Sequence, residues 1–215
     1  MAAVTITAPP RRVTVPTVRT VRRIVRDELK EELEVKLIDT SSGNITLTTT
    51  PAGTLVSGIG QGTDYYQRLA TDVRCKRFYV RYGLLFNTAS TDTTQSARIM
   101  LVMDTQSNGV APTLSGSSPL GLFSNGPPGL ADQRNQLTTN RYLVLHDETI
   151  WVSAAFRARH YGEFGVNLRN HINFNGTGTG VGNIISNSLY MVYWTDLGTN
   201  AATFLFNSRL WFTDA

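Results

Sequence analysis

The side chains from which a reaction centre could be assembled are few in this 215-residue chain: three histidines, one cysteine and 16 carboxylates. A zinc site needs closely spaced nitrogen and sulfur donors. His146, His160 and His171 have no H-x-x-x-H spacing, and Cys75 stands alone, which also excludes a disulfide framework. His146 beside Asp147 supplies two members of an acyl-transfer triad, but no G-x-S-x-G elbow accompanies them, so the pair reads as a strand-end turn. Gly58–Gly62 and Gly176–Gly182 lack the Lys-Ser/Thr and the helix that complete a phosphate loop; the second reads as a flexible connection. The sequons at Asn44 and Asn175 carry no weight without a secretion signal. No catalytic constellation forms, and the chain is read as not an enzyme.

The chemistry that is present is cationic. Arg11, Arg12, Arg19, Arg22, Arg23 and Arg26 lie in the first 26 residues with no acidic residue among them, leaving 14 basic and 16 acidic residues in the rest. All the excess positive charge therefore belongs to an N-terminal arm, the layout of a tail that meets a polyanion. Of the 20 basic residues 17 are Arg, whose planar fork matches phosphate oxygens in pairs.

The elements that must position these residues divide into two kinds. Residues 1–16 are irregular and rich in Thr and Pro; from Thr17 to Leu37, Val18, Val21, Val25, Leu29 and Leu33 recur at helical spacing. Along that helix the arginines come first and Asp27, Glu28, Glu31, Glu32 and Glu34 follow, an order that opposes the helix dipole and suits an external polyanion instead. Beyond residue 38 the helical signal stops. Segments 44–50, 73–86, 97–104, 142–146, 149–156, 166–174, 184–195 and 203–213 read as about eight strands, punctuated by Asn-Gly, Gly-Pro and Leu-Gly-Thr-Asn turns. Ala97–Asp104 is almost continuously apolar, as in a strand buried on both faces. In Val73–Phe86 strict alternation places Val73, Cys75, Arg77, Tyr79 and Arg81 on one face and Arg74, Lys76, Phe78, Val80 and Tyr82 on the other. Neither face is purely apolar, so one is expected to meet a subunit or a ligand.

Composition agrees. Charged residues are 17% of the chain, while Thr (28), Gly (18) and Asn (14) suit strands and turns; 20 aromatics exclude a disordered chain. The longest aliphatic run, Ile99–Met103, is far short of the ~20 residues of a membrane helix, and residues 1–10 lack the features of a signal peptide. The expected fold is all-β, an eight-stranded jelly-roll sandwich over residues 39–215, preceded by a basic arm and amphipathic helix over 1–38. Segments 105–141 and 157–165 are then long connections suited to binding.

Specific stretches resemble a known family. Gly58-Ile-Gly-Gln-Gly-Thr-Asp-Tyr-Tyr-Gln-Arg68, followed by Asp72-Val-Arg74, resembles the lead into the first long strand of satellite tobacco necrosis virus-type capsid proteins. Similar motifs occur in capsids of some small circular single-stranded DNA viruses. Asn108–Thr113, Arg141–Asp147, Asn173–Thr177 and the terminal Phe212-Thr-Asp-Ala215 are similar to later motifs of the family, in the same order. The likeness covers about residues 19–215.

The resemblance implies a coat protein that assembles with copies of itself, roughly 60 in the smallest shell, inside a host cell and resides in the virion. The arm would face inward onto a single-stranded genome, RNA favoured over DNA because the arm is short. Six arginines in each of roughly 60 subunits bring ~360 positive charges to phosphates. The family also binds Ca²⁺ between subunits. Carried over, its ligands would be Asp214, the carbonyls of Leu69 and Asp72, and a helix glutamate whose place is taken by Lys30 with Glu31 and Glu32 adjacent. At the family's threefold-axis aspartate stands Thr63, with Asp64 next to it. Oxygen-only ligands of this kind suit Ca²⁺. The alternative from a different class is a β-sandwich carbohydrate- or nucleic-acid-binding module with a basic tail, in which Tyr65, Tyr66, Tyr79 and Tyr82 would stack on bases; otherwise these tyrosines are expected to pack in the core and in interfaces.

Overall fold

The computed structural model describes residues 34–115, 120–124 and 129–214. The expected arm and helix, with Arg11, Arg12, Arg19, Arg22, Arg23, Arg26, Glu31 and Glu32, lie outside the described residues, except that the last two positions of the expected helix are strand.

In chain order the strands are β1 (Lys36–Ser41), β2 (Ile45–Thr46), β3 (Ala52–Leu55), β4 (Asp72–Leu85), β5 (Thr94–Asp104) and β6 (Tyr142–Ser153). They continue with β7 (Arg159–Asn167), β8 (His171–Phe174), β9 (Ile184–Ser186), β10 (Ser188–Thr195) and β11 (Thr203–Asp214). One sheet runs β1-β11-β4, with β7 on one stretch of β4 and β8-β9 on the other, and the short β2 beside β11. The second runs β3-β10-β5-β6. All pairings are antiparallel, and the path crosses between sheets at every step of the main strands except β5 to β6. That connectivity, with four main strands per sheet, is an eight-stranded jelly roll.

The strand count agrees with expectation, but several strands differ. β1 opens at Lys36, inside the segment assigned to the arm, because Lys36–Ser41 pairs in unbroken register with Phe212–Asn207. Tyr142–Ser153 is one strand rather than two: the ladder with β5 shifts register between Leu101 and Val102, and His146-Asp147 lies within it, not in a turn. Residues 159–165, expected as connection, form most of β7, whose core-facing His160, Gly162, Phe164 and Val166 are only half-buried.

Two apolar layers result. Between the sheets, Val73, Phe78, Val80, Ile99, Leu101, Met103, Leu189, Met191, Phe204, Phe206, Leu210 and Phe212 form the main core. On the outer side of the second sheet, Met100, Val102, Tyr142, Tyr190, Val192 and Trp194 are covered by Leu122 and Phe123. β5 is therefore buried on both faces, as its composition predicts. Part of the long 105–141 connection thus acts as a lid over this sheet.

Ion pairs fasten that lid. Arg98 donates to both Asp147 oxygens at 2.7 and 2.6 Å and to the carbonyls of Leu130 and Asp132 at 3.0 and 2.7 Å. Arg141 holds the wholly buried Asp104 through two 2.9 Å bonds. Both pairs have the bidentate fork geometry that makes guanidinium–carboxylate contacts strong.

Candidate functional site

The Gly58–Arg68 motif proves to be a fastener. Arg68 is wholly buried, donating from Nε to the Ile59 carbonyl at 3.1 Å, from Nη1 to Ala70 at 2.8 Å and from Nη2 to the Gly176 carbonyl. Its guanidinium lies 4.1 Å from the centre of the Phe174 ring. Gln61 N–H donates to the Thr177 carbonyl at 2.9 Å, and a Cβ at Gly58 would overlap the Thr179 carbonyl oxygen. Residues 58–70 and 174–179 are thereby locked together, so the glycine-rich loop, expected to be flexible, is pinned by two side-chain and backbone contacts.

At the next station stand the residues carried over as metal ligands. Asp214 Oδ1 accepts from the Leu69 and Ala70 amides at 2.9 and 3.3 Å; Oδ2 meets Lys36 Nζ at 3.0 Å. Lys36, itself buried, also donates to the Gln67 carbonyl at 3.1 Å. Burial works to raise the Asp214 pKa, but the Lys36 bond and the two amides outweigh it and hold it below the ordinary carboxylate value. The Leu69 carbonyl accepts from Gln61 Nε2 at 3.2 Å, and the Asp72 carboxylate pairs with His171 at 3.0 Å. Asp64 sits in the 61–68 turn, its carbonyl accepting from the Gln67 amide. The structure thus joins Asp214 to the backbone of Leu69, through its amide rather than its carbonyl. Among the described residues of one subunit no group of three metal-ligating side chains converges, and Asp214 is paired with an ammonium, while Glu31 and Glu32 lie outside the described residues.

The histidines are equally structural in their surroundings. His146 stacks on Phe164 at 3.6 Å, and its Nε2 lies 3.2 Å from a Glu148 oxygen that also accepts from Tyr82 at 2.7 Å. Asp147 points to the opposite face, toward Arg98, so the two neighbours share no chemistry. Tyr82 is core, as expected, and not the base-stacking residue of the alternative reading.

What remains is the outer face of the first sheet. The β4–β11 ladder shifts register between Trp211 and Phe212, where Phe212 pairs with Cys75 and Trp211 with Arg77, leaving Lys76 as a bulge. A bulge adds one residue and exchanges the two faces beyond it. Val73, Cys75, Phe78, Val80, Tyr82 and Leu84 consequently all face the core, and Arg74, Arg77, Tyr79 and Arg81 all face outward. The expectation that neither face of this strand is apolar is corrected: the inner face is wholly apolar and the outer one cationic and aromatic.

Cross-strand register assembles that outer face into rows. Leu37, Trp211, Arg77 and Asn167 form one row; Asp39, Arg209, Tyr79 and Gly165 the next; Ser41, Asn207, Arg81 and Glu163 a third. Arg77 lies 5.9 Å from the Tyr79 ring centre and 5.8 Å from that of Trp211; Arg81 and Arg209 each flank one ring at 5.8 Å. The rows border an open depression of ≈ 500 Å³. At the edges, Asp39 holds Arg209 through two 2.7 Å bonds and Glu163 meets Arg81 at 3.2 Å. Hydrogen bonding to Arg209 keeps the Asp39 pKa low. Sequence reasoning placed Arg77, Tyr79 and Arg81 on one face of a strand expected to meet a subunit or a ligand, but missed Arg209 and Trp211. The alternation of L-F-N-S-R-L-W-F in β11 was a signal for the last two; the bulge that sorts β4 left none.

No protein-family profile and no characterised protein sequence matches the chain. Among solved structures it is similar to a chain of Desmodium yellow mottle tymovirus at 10% identity and a TM-score of 0.35, covering all of this chain and 96% of that one. It is also similar to the 60-mer BFDV capsid protein at 8% identity and a TM-score of 0.31, covering 84% of this chain and 93% of that one.

Proposed function

We propose that this chain is the coat protein of a small icosahedral virus, with a jelly-roll body that tiles with copies of itself and an arginine-rich arm that holds a single-stranded genome by its phosphates. The observation that carries the reading is where the motif residues fall. Arg68, Arg141, Asp147 and Asp214, taken from the stretches that resemble satellite-virus capsids, each make the contacts that fasten the jelly roll. The likeness in sequence therefore coincides with what determines the fold.

Two further features support it. The body carries large apolar side chains in the open: Phe156 is 90% exposed and Leu137 81%, with Tyr65, Leu69 and Val35 grouped by sequence and contact near the start of β1. Such surface is what repeated subunit contacts consume. The charge partition separates the two tasks: a body over 39–215 with 12 basic and 11 acidic residues does not repel its copies strongly, while the six arm arginines bind phosphate without sequence preference.

Electron microscopy of the purified protein tests this. Uniform spherical particles holding nuclease-protected nucleic acid are expected. Removing residues 1–26 should lower the bound nucleic acid while the β-sheet circular dichroism stays. A protein that remains monomeric at high concentration, or that binds one small ligand as a small oligomer, overturns it.

A further inference from the structure

The two sheets of this sandwich have unlike outer surfaces. The second is covered by Leu122 and Phe123 from the connection after β5, with Phe123 in edge-to-face contact with Trp194 at 5.2 Å. Nothing among the described residues covers the first. Its open rows place Tyr79 and Trp211 between the guanidinium groups of Arg77, Arg81 and Arg209.

Those guanidinium groups lie over the rings at a wider spacing than in the interior. Arg68, in the packed interior, sits 4.1 Å from its ring centre; the three surface arginines sit 5.8–5.9 Å away. The rings of Tyr79 and Trp211 are thus less closely covered by their cations than Phe174 is, and a planar ligand competes with looser contacts. Arg77 has no carboxylate at ion-pair distance among the described residues, and the two existing pairs are open to water, Arg81 and Glu163 being 74% and 58% exposed. Exposed pairs of this kind are worth about 0–1 kcal/mol, so a phosphate can compete for the arginines. Arg74 and Arg159 extend the positive track toward the ends of β4.

We propose that this sheet face is a second nucleic-acid site, separate from the arm, which takes single-stranded nucleic acid by stacking bases on Trp211 and Tyr79 and pairing phosphates with Arg77, Arg81 and Arg209. Alternating cations and aromatics on an open sheet are the surface that binds single strands without reading sequence. A duplex would bring phosphates but bury its bases, leaving the two rings unused. The inference deepens the coat-protein reading by placing part of the genome on the body, and it rests on that reading only for the identity of the strand.

The test uses the full chain and a single-stranded 20-mer of uridine. Trp211 emission is expected to fall on binding, and the fall should vanish in Trp211→Phe. In Arg77→Gln/Arg81→Gln the affinity at 0.15 M salt should drop about tenfold, and the slope of log affinity against log salt should decrease by about 1.4, two single-strand phosphate contacts. Inorganic polyphosphate should bind without changing Trp211. Quenching that persists in Trp211→Phe, or an oligonucleotide that binds with no emission change, overturns the site. So does loss of particle formation in the double variant without any effect of oligonucleotide on Trp211, which would make the face a contact between copies. Particles scored in parallel separate the two readings: absent particles count against the coat protein, an unresponsive Trp211 in intact particles against this site alone.

Discussion

Replacing Arg68 by Met probes the fastener on which the jelly-roll entry depends. Met keeps most of the side-chain volume but removes the donors to Ile59, Ala70 and Gly176 and the cation over Phe174. Hydrogen bonds from a charged donor contribute about 1.5–3 kcal/mol each; because two of these three are only part-buried, water recovers some of the loss. A desolvated cation–π contact adds about 2 kcal/mol. Against this, the variant no longer strips water from a guanidinium, which costs several kcal/mol per buried ion. The net destabilisation is about 3 kcal/mol, or 6–12 °C in melting temperature for a domain of this size. Urea denaturation followed by the emission of buried Trp194 measures it. Hydrogen exchange localises it: the amides of Gln61, Gly62 and Arg68, bonded to Thr177, Arg68 and Gly60, should lose protection before those of β4. A change below about 1 kcal/mol, or a uniform loss of protection, refutes the fastener.

Three other outcomes follow from the same geometry. Arg141→Ala leaves the wholly buried Asp104 without its cation and should cost about 3–5 kcal/mol in urea, whereas Arg141→Ala with Asp104→Leu should recover part of that. The His160 pKa is lowered from its ordinary 6.5, by burial first and then by Arg157, so the folded state binds fewer protons than the unfolded one. Stability should therefore fall as pH drops below 6.5, and His160→Gln should flatten that slope between pH 7 and 5. Finally, Lys36 already neutralises Asp214, so neither millimolar Ca²⁺ nor a chelator should move the denaturation midpoint of the dissociated subunit; a calcium-dependent rise would mean the carboxylate exchanges ammonium for metal.

The sandwich was legible because its central strands announce themselves. Ile99–Met103 can be buried on both faces and nothing else, and the Gly- and Asn-rich turns around it leave no room for a helix. Edge elements were not legible, for a physical reason. β3 has four residues and includes Gly53; β7 carries glycines at 162 and 165 and inward groups that are only half-buried. Strands that bury little carry little pattern. β1 was masked by its neighbour, since Leu37 continues the helical spacing of Leu29 and Leu33 although its backbone pairs with Trp211. The His146-Asp147 turn failed because polar neighbours inside a strand look like a turn when each serves a different face.

The candidate sites divide along a different line. Residues that stood out as motifs, Arg68, Arg141, Asp147 and Asp214, became internal fasteners, because an irregular loop or a buried ion pair demands particular residue types at particular spacings. A binding face on a sheet demands far less. It needs alternate positions on adjacent strands to agree in character, and the strands that supply Arg77, Tyr79, Arg209 and Trp211 are more than a hundred residues apart. No local spacing can display that agreement. In β4 even the local alternation misleads, since the single residue Lys76 exchanges the faces partway along. Without the bulge, Arg77, Tyr79 and Arg81 would join Val73 and Cys75 toward the core and Phe78, Val80 and Tyr82 would turn to water. The same inserted residue therefore completes the apolar interior and gathers the outward arginines, so fold and surface chemistry here have one structural cause.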